Sequence, residues 1–239
     1  MKYKIIFIAI LIIMALSVVA CSKSGTSATI IVVGRHANAN MFSDVYYNEI
    51  LKYIEEAYKS GGYVRIIVSD GNPRQDENNK FVFYPSDEPD RMERPRAIRM
   101  EAERIVEALK NEEIRAKSPE NSLLEALHAA ERVLNELELA AKGEKEFKQI
   151  GKSKIIILDT GIVTAGVLDF TANGIDKFNF NFSSDEEIVE LATGIADRLN
   201  SSRQLPDLKG ADVDFIGICD VAPPQTALSP VEKNGIRVL

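Results

Sequence analysis

Polar side chains that carry amide, carboxylate, hydroxyl or imidazole groups follow several aliphatic runs of this chain. In chain order they are His36, Asn38, Asn40, Asp70, Asp159, Thr160 and Asp220. Amide and carboxylate oxygens can hold a hard divalent cation or bind a polar partner, and a histidine can change its charge near neutral pH. Residues of the same types also favour tight turns. The pattern therefore leaves a binding role and a turn-forming role open side by side.

Arg35 and His36 indicate one alternative chemistry. A histidine directly after an aliphatic strand resembles the R-H-G signature of histidine phosphatases, in which the histidine takes the phosphoryl group. That chemistry needs a second histidine at another strand end, whereas the neighbours of His128 predict a partly buried helix residue. Ala37 also stands where the signature has glycine. Phosphoryl transfer is kept as the alternative function, and the favoured prediction contains no catalytic residue.

Alternating strands and helices position these side chains. Hydrophobic spacing predicts strands at 29–33, 63–68, 80–84, 154–158 and 213–218, and helices at 43–60, 96–109, 122–141 and 184–199. This order predicts a three-layer, Rossmann-like α/β fold. Its central sheet is expected to be mostly parallel, with one antiparallel edge strand. Ligands of such sheets bind beyond the carboxyl ends of the strands, where the polar residues collect.

The first twenty residues predict export. Lys2 and Lys4 precede an uncharged aliphatic stretch at 5–16, which is too short to span a membrane, and Ala20 precedes Cys21. This arrangement resembles the lipobox of bacterial lipoproteins. The resemblance implies that Cys21 carries fatty acyl chains such as palmitate, which anchor the protein at the extracytoplasmic face of a bacterial cell membrane. Residues 22–28 are then expected to form a flexible leash.

The net charge and the number of cysteines exclude some classes of partner and of covalent cross-link. The formal net charge is −7, which argues against a nucleic-acid partner because phosphate binding needs clustered basic residues. The chain has two cysteines. With Cys21 acylated, Cys219 has no partner for an intrachain disulfide, and its aliphatic neighbours predict a buried thiol.

The order of elements resembles a von Willebrand factor A domain over roughly residues 28–220. The family's helix start T-P-L-x-E-A-L is similar to 121–127, and its strand ending in T-D-G is similar to 156–161. The resemblance implies a magnesium site, but His36, Asn38 and Asn40 replace the aspartate and both serines of the family's D-x-S-x-S motif. Asn121 stands where the family has its loop threonine. Because magnesium prefers carboxylate oxygen, we expect no resident cofactor; Asn38, Asn40 and Asp159 are the candidate ligands if a divalent cation binds.

Several segments are also similar to an uncharacterised group of bacterial envelope proteins, some of which carry an OmpA-like domain downstream. The expected organisation is a signal peptide at 1–20, a lipidated cysteine and leash at 21–28, and an A-like domain at 29–225. Residues 226–239 are expected to begin a helix or a further segment, with the chain continuing in the full protein. The predicted function is a membrane-anchored binding or scaffold module that contacts an envelope protein or peptidoglycan.

Overall fold

The computed structural model describes residues 26–34, 44–60, 62–73, 81–83, 94–110, 120–143, 150–168 and 184–217. The strands and helices, labelled in chain order, are β1 (Thr26–Gly34), α1 (Asp44–Lys59), β2 (Tyr63–Ser69), β3 (Phe81–Phe83), α2 (Arg94–Lys110), α3 (Leu123–Gly143), β4 (Ile150–Leu158), α4 (Asp185–Ser201) and β5 (Asp212–Ile216). Every strand and helix predicted from hydrophobic spacing has a counterpart among these elements.

The sheet has the order β3-β2-β1-β4-β5. Its four longer strands run parallel: β1 lies between β2 and β4, and β5 pairs with β4. The short β3 lies antiparallel beside β2, with Phe81 opposite Ile66. The α/β architecture with a parallel sheet is therefore confirmed. Because all four parallel strands end at one side, this arrangement brings the segments after them to a common carboxyl edge.

Helices cover both faces of the sheet. Alternate strand residues point to opposite faces, so Ile31 and Ile156 pack on one side with α1 and α2, while Ile30 and Ile157 pack on the other side with α3. Full burial of one such side chain stabilises the fold by roughly 1.5–3 kcal/mol. The aliphatic β4 is thus buried from both sides, as expected for a central parallel strand.

The fourth helix packs on α3 rather than across the centre of the sheet. Ile195 and Leu199 contact Leu124 of α3. Ser184 caps the helix by accepting a hydrogen bond from the backbone N–H of Glu187 at 3.3 Å, which confirms the predicted helix start. No helix among the described residues is long and apolar enough to cross a membrane.

Two strands begin earlier than predicted. β1 begins at Thr26 instead of residue 29, and β4 begins at Ile150 instead of residue 154. The added residues are mostly polar, but they pair through the backbone, with Ser27 opposite Lys152. The expected leash at 21–28 was therefore wrong at its end, because residues 26–28 already belong to the sheet.

Candidate functional site

Four of the predicted site residues meet at the carboxyl edge of the sheet. Asp70 follows β2, Asp159 and Thr160 follow β4, and Asn121 lies two residues before the start of α3. All four are buried: Asp70 is 2% exposed and the other three are 0% exposed. Burying a polar group costs free energy unless the group is hydrogen-bonded. Their partners therefore decide what the cluster can do.

The side chain of Asn121 is the hub of this cluster. Its Nδ2 donates to Asp159 Oδ1 at 3.0 Å and to the carbonyl oxygen of Ile162 at 2.9 Å. Its Oδ1 accepts a hydrogen bond from the hydroxyl of Ser69. Both partners of Nδ2 can only accept hydrogen bonds. The amide nitrogen, rather than the amide oxygen, must therefore face them. One side chain thereby joins the end of β2, the end of β4 and the segment after β4.

The backbone of Asn121 binds the same segment a second time. Its N–H donates to Thr164 Oγ1 at 2.8 Å, and its carbonyl accepts from the N–H groups of Thr164 at 2.8 Å and Ala165 at 3.0 Å. Gly166 then passes close to Ser122 with φ +83°, and a Cβ added there would lie 2.8 Å from Ser122 Oγ. The segment 161–166 is consequently held against the start of α3 by specific contacts.

Asp70, Asp159 and Thr160 also stabilise the turns that follow their strands. Asp70 Oδ1 accepts from the N–H of Asn72 at 2.9 Å, and Asp159 Oδ1 accepts from the N–H of Gly161 at 2.7 Å. Thr160 Oγ1 accepts from the N–H of Ile162 at 3.1 Å. These local bonds are the turn-forming role that the sequence left open. The four buried residues thus build the framework of the edge.

The magnesium ion that the resemblance implies does not fit this arrangement at Asp159 Oδ1. That oxygen already receives two N–H donors, from Asn121 and Gly161. A cation close to it would meet their hydrogens and would compete with two bonds. Among the described residues, no group of three or more His, Cys, Asp or Glu side chains is arranged to hold a metal ion.

The remaining predicted residues lie outside the described ranges. They are Cys21, Arg35, His36, Asn38, Asn40, Cys219 and Asp220. His128 is described, and its predicted place as a partly buried helix residue is confirmed. Its Nε2 lies 2.9 Å from the carbonyl oxygen of Gln204, and its Nδ1 lies 3.1 Å from Glu131 Oε2. This histidine binds the segment that follows α4 and is not part of the Asn121 cluster.

A cavity of about 260 Å³ lies at the opposite, amino-terminal edge of the sheet. Lys152, Asp212, Lys209 and Glu138 supply charges of both signs to its wall. The sequence did not predict this cavity, since it combines strand starts with the far part of α3. The cavity lies at the edge opposite to the one at which the sequence predicts ligand binding. We favour the carboxyl edge as the candidate site because buried polar groups converge there from three segments.

No known protein-family model and no curated protein matches the sequence.

Proposed function

We propose that this chain is a membrane-anchored, extracytoplasmic binding or scaffold module with an A-like fold, which binds its partner at the carboxyl edge of the sheet. The observation that carries the proposal is the junction around Asn121. It holds the segments after β2 and β4 and the start of α3 together by side-chain and backbone hydrogen bonds. A scaffold of this kind gives the outer residues of the edge a fixed geometry, which lowers the entropic cost of binding a partner.

The topology supports the A-like assignment. The short β3 pairs antiparallel with β2, as in the family that the sequence resembles. In this assignment Asn121 corresponds to the family's loop threonine. In this assignment the polar edge is the family's ligand-binding edge, with hydrogen-bonding side chains where the relatives hold a cation.

The position of the proposed lipid anchor at Cys21 supports an orientation in which the carboxyl edge faces away from the membrane. β1 begins at Thr26, five residues after Cys21, and five residues span at most about 17 Å. The amino-terminal edge of the sheet is therefore kept near the membrane. β1 has nine residues, or about 30 Å of strand, before the carboxyl edge is reached. The carboxyl edge is presented away from the lipid, towards an envelope protein or peptidoglycan.

Site-specific photo-crosslinking in intact cells tests this function. Val167 is 43% exposed and follows Gly166, which contacts the start of α3, so a photoreactive residue at 167 samples the carboxyl edge. Lys152 is exposed at the opposite edge and supplies the matched control position. We expect a discrete adduct from position 167 and none from position 152.

Two further variants sharpen the result. A Cys21→Ser substitution in the 167 probe should abolish the adduct, because the unanchored chain no longer shares a location with its partner. A probe at exposed Val189 reports on α4, which packs on the start of α3. Equal adducts from 152, 167 and 189, or none from 167, would rule out the carboxyl edge as the contact surface.

A further inference from the structure

We propose that the side-chain amide of Asn121 performs the structural task of a bound cation, so that the carboxyl edge is assembled without any exchangeable ion. The inference deepens the proposed function. It rests on that function only in treating the carboxyl edge as the binding surface. The geometry comes entirely from described, buried residues.

Three oxygens surround the amide. Asp159 Oδ1 and the carbonyl oxygen of Ile162 lie 3.0 and 2.9 Å from Nδ2, and the Ser69 hydroxyl binds Oδ1. A carboxylate, a carbonyl and a hydroxyl are the ligand types that a hard cation would gather. Here the polarised N–H groups of Nδ2 donate to the two acceptors, and Oδ1 of the same amide accepts a hydrogen bond from the Ser69 hydroxyl. One uncharged group thus bridges oxygens from two segments of the chain, the end of β2 and the stretch after β4.

The burial of Asp159 explains why such a bridge is needed. Its carboxylate is 0% exposed, and a buried carboxylate requires a cation or strong hydrogen-bond donors to offset its lost hydration. The N–H groups of Asn121 and Gly161 both donate to Oδ1. Oδ2 is buried and receives no hydrogen bond within the described part of the chain, so the amide offsets the lost hydration at Oδ1 alone. Because the amide is covalently part of the chain, its occupancy does not depend on the divalent-ion concentration outside the cell.

Thermal denaturation of the full chain, purified in detergent, tests the proposal. The wild-type Tm should be the same in EDTA as in saturating magnesium, calcium or manganese. Asn121→Asp places a second carboxylate against Asp159, which should lower the Tm in EDTA by about 5–10 °C. Added cation should then restore most of that loss in a saturable titration.

A matched control separates this effect from added charge alone. Asn200→Asp introduces the same charge at an exposed position near the end of α4, and its Tm should respond to no cation. Asn121→Thr covers the case in which Asn121→Asp fails to fold. It removes both N–H donors and adds no charge, and it should lower the Tm and create a cation response that the wild type lacks.

Three results would overturn the proposal: a saturable cation response of the wild type, an Asn121→Asp protein that is folded and indifferent to cations, or a cation-insensitive Asn121→Thr protein where the aspartate variant does not fold. These Tm measurements need no binding partner. A failed crosslinking experiment and a failed cation experiment are therefore distinguishable.

Discussion

The hydroxyl of Ser69 donates a hydrogen bond to the side-chain oxygen of Asn121, although 52 positions separate the two residues. The bond joins the last residue of β2 to the segment that starts α3, and the backbone repeats the connection through a 2.9 Å bond from Ser122 N–H to the carbonyl oxygen of Asp70. Ser69 and Asn121 are both fully buried. A side-chain bond and a backbone bond therefore both join the end of β2 to the start of α3.

Replacing Ser69 by alanine should destabilise the domain measurably. The change removes the donor to Asn121 Oδ1 in a buried place, which costs about 1–3 kcal/mol of the free energy of unfolding. Urea denaturation followed by circular dichroism measures the loss. Ser201→Ala, at an exposed hydroxyl that binds the carbonyl of Arg198 at 3.0 Å, should change stability by less than about 0.5 kcal/mol. Equal effects of the two substitutions would contradict the central place of Ser69.

Gly217→Ala should destabilise the protein, whereas Gly194→Ala should not. Gly217 has φ +91°, and an added Cβ would lie 3.0 Å from Tyr46 Oη and 3.4 Å from the carbonyl oxygen of Asp159. A strained backbone of this kind costs about 1–3 kcal/mol. Gly194 lies within α4, where an added Cβ meets nothing within 4 Å. Alanine there should stabilise by about 0.5–1 kcal/mol.

Urea denaturation of both glycine variants provides the measurement. Opposite signs of the change in unfolding free energy are expected. A Gly217→Ala protein that is as stable as the wild type would show that the end of β5 does not need its left-handed conformation.

Asp214→Asn should weaken the protein near neutral pH and lose that effect in acid. Lys154 Nζ lies 2.7 Å from Asp214 Oδ2, and this hydrogen bond lowers the pKa of Asp214 below its ordinary value of 3.8 and raises the pKa of Lys154 above 10.5. A lowered carboxyl pKa contributes stability above the ordinary value that is lost as the pH falls through the folded-state pKa. The raised Lys154 pKa contributes stability below 10.5 that is lost as the pH rises through its folded-state value.

The solvent exposure of Lys154 and Asp214 limits how much their ion pair contributes to the free energy of unfolding. The two side chains are 39% and 44% exposed, so the pair should contribute less than about 1 kcal/mol. Urea midpoints of wild type and Asp214→Asn should differ at neutral pH and converge as the pH falls below the lowered pKa of Asp214. A difference that persists unchanged in acid would show that Asp214 acts through packing rather than charge.

Cys21→Ser should move the chain out of the membrane fraction. Without the thiol no acyl chains can be attached, and the affinity that buried methylenes provide is lost. Metabolic labelling with an alkyne fatty acid, followed by fractionation, measures both steps. In Cys21→Ser the fatty-acid label and the membrane location should disappear together. The Cys219→Ser protein should keep both. Persistent fatty-acid labelling of Cys21→Ser would refute the lipobox assignment.

Local patterns were sufficient to predict the type and order of the described strands and helices, but not all of their ends. Aliphatic runs mark the parallel strands, and Ser184 followed by three acidic residues marks the start of α4. Such signals succeed because hydrophobic periodicity and helix capping depend on residues within a few positions of each other. The early starts of β1 and β4 escaped prediction, because those residues pair through backbone groups that every sequence shares.

The sequence by itself determined the order of the elements, the polar residues after the strands, and the lipobox pattern that predicts an anchor. Only the tertiary structure decided that Asn121 is the hub of the edge, that Asp159 Oδ1 is occupied by N–H donors, and that the cavity lies at the opposite end. The physical reason is distance along the chain. Asn121 meets Ser69 and Asp159 from 52 and 38 positions away, and hydrogen bonds depend on distances and angles that only the packed sheet establishes.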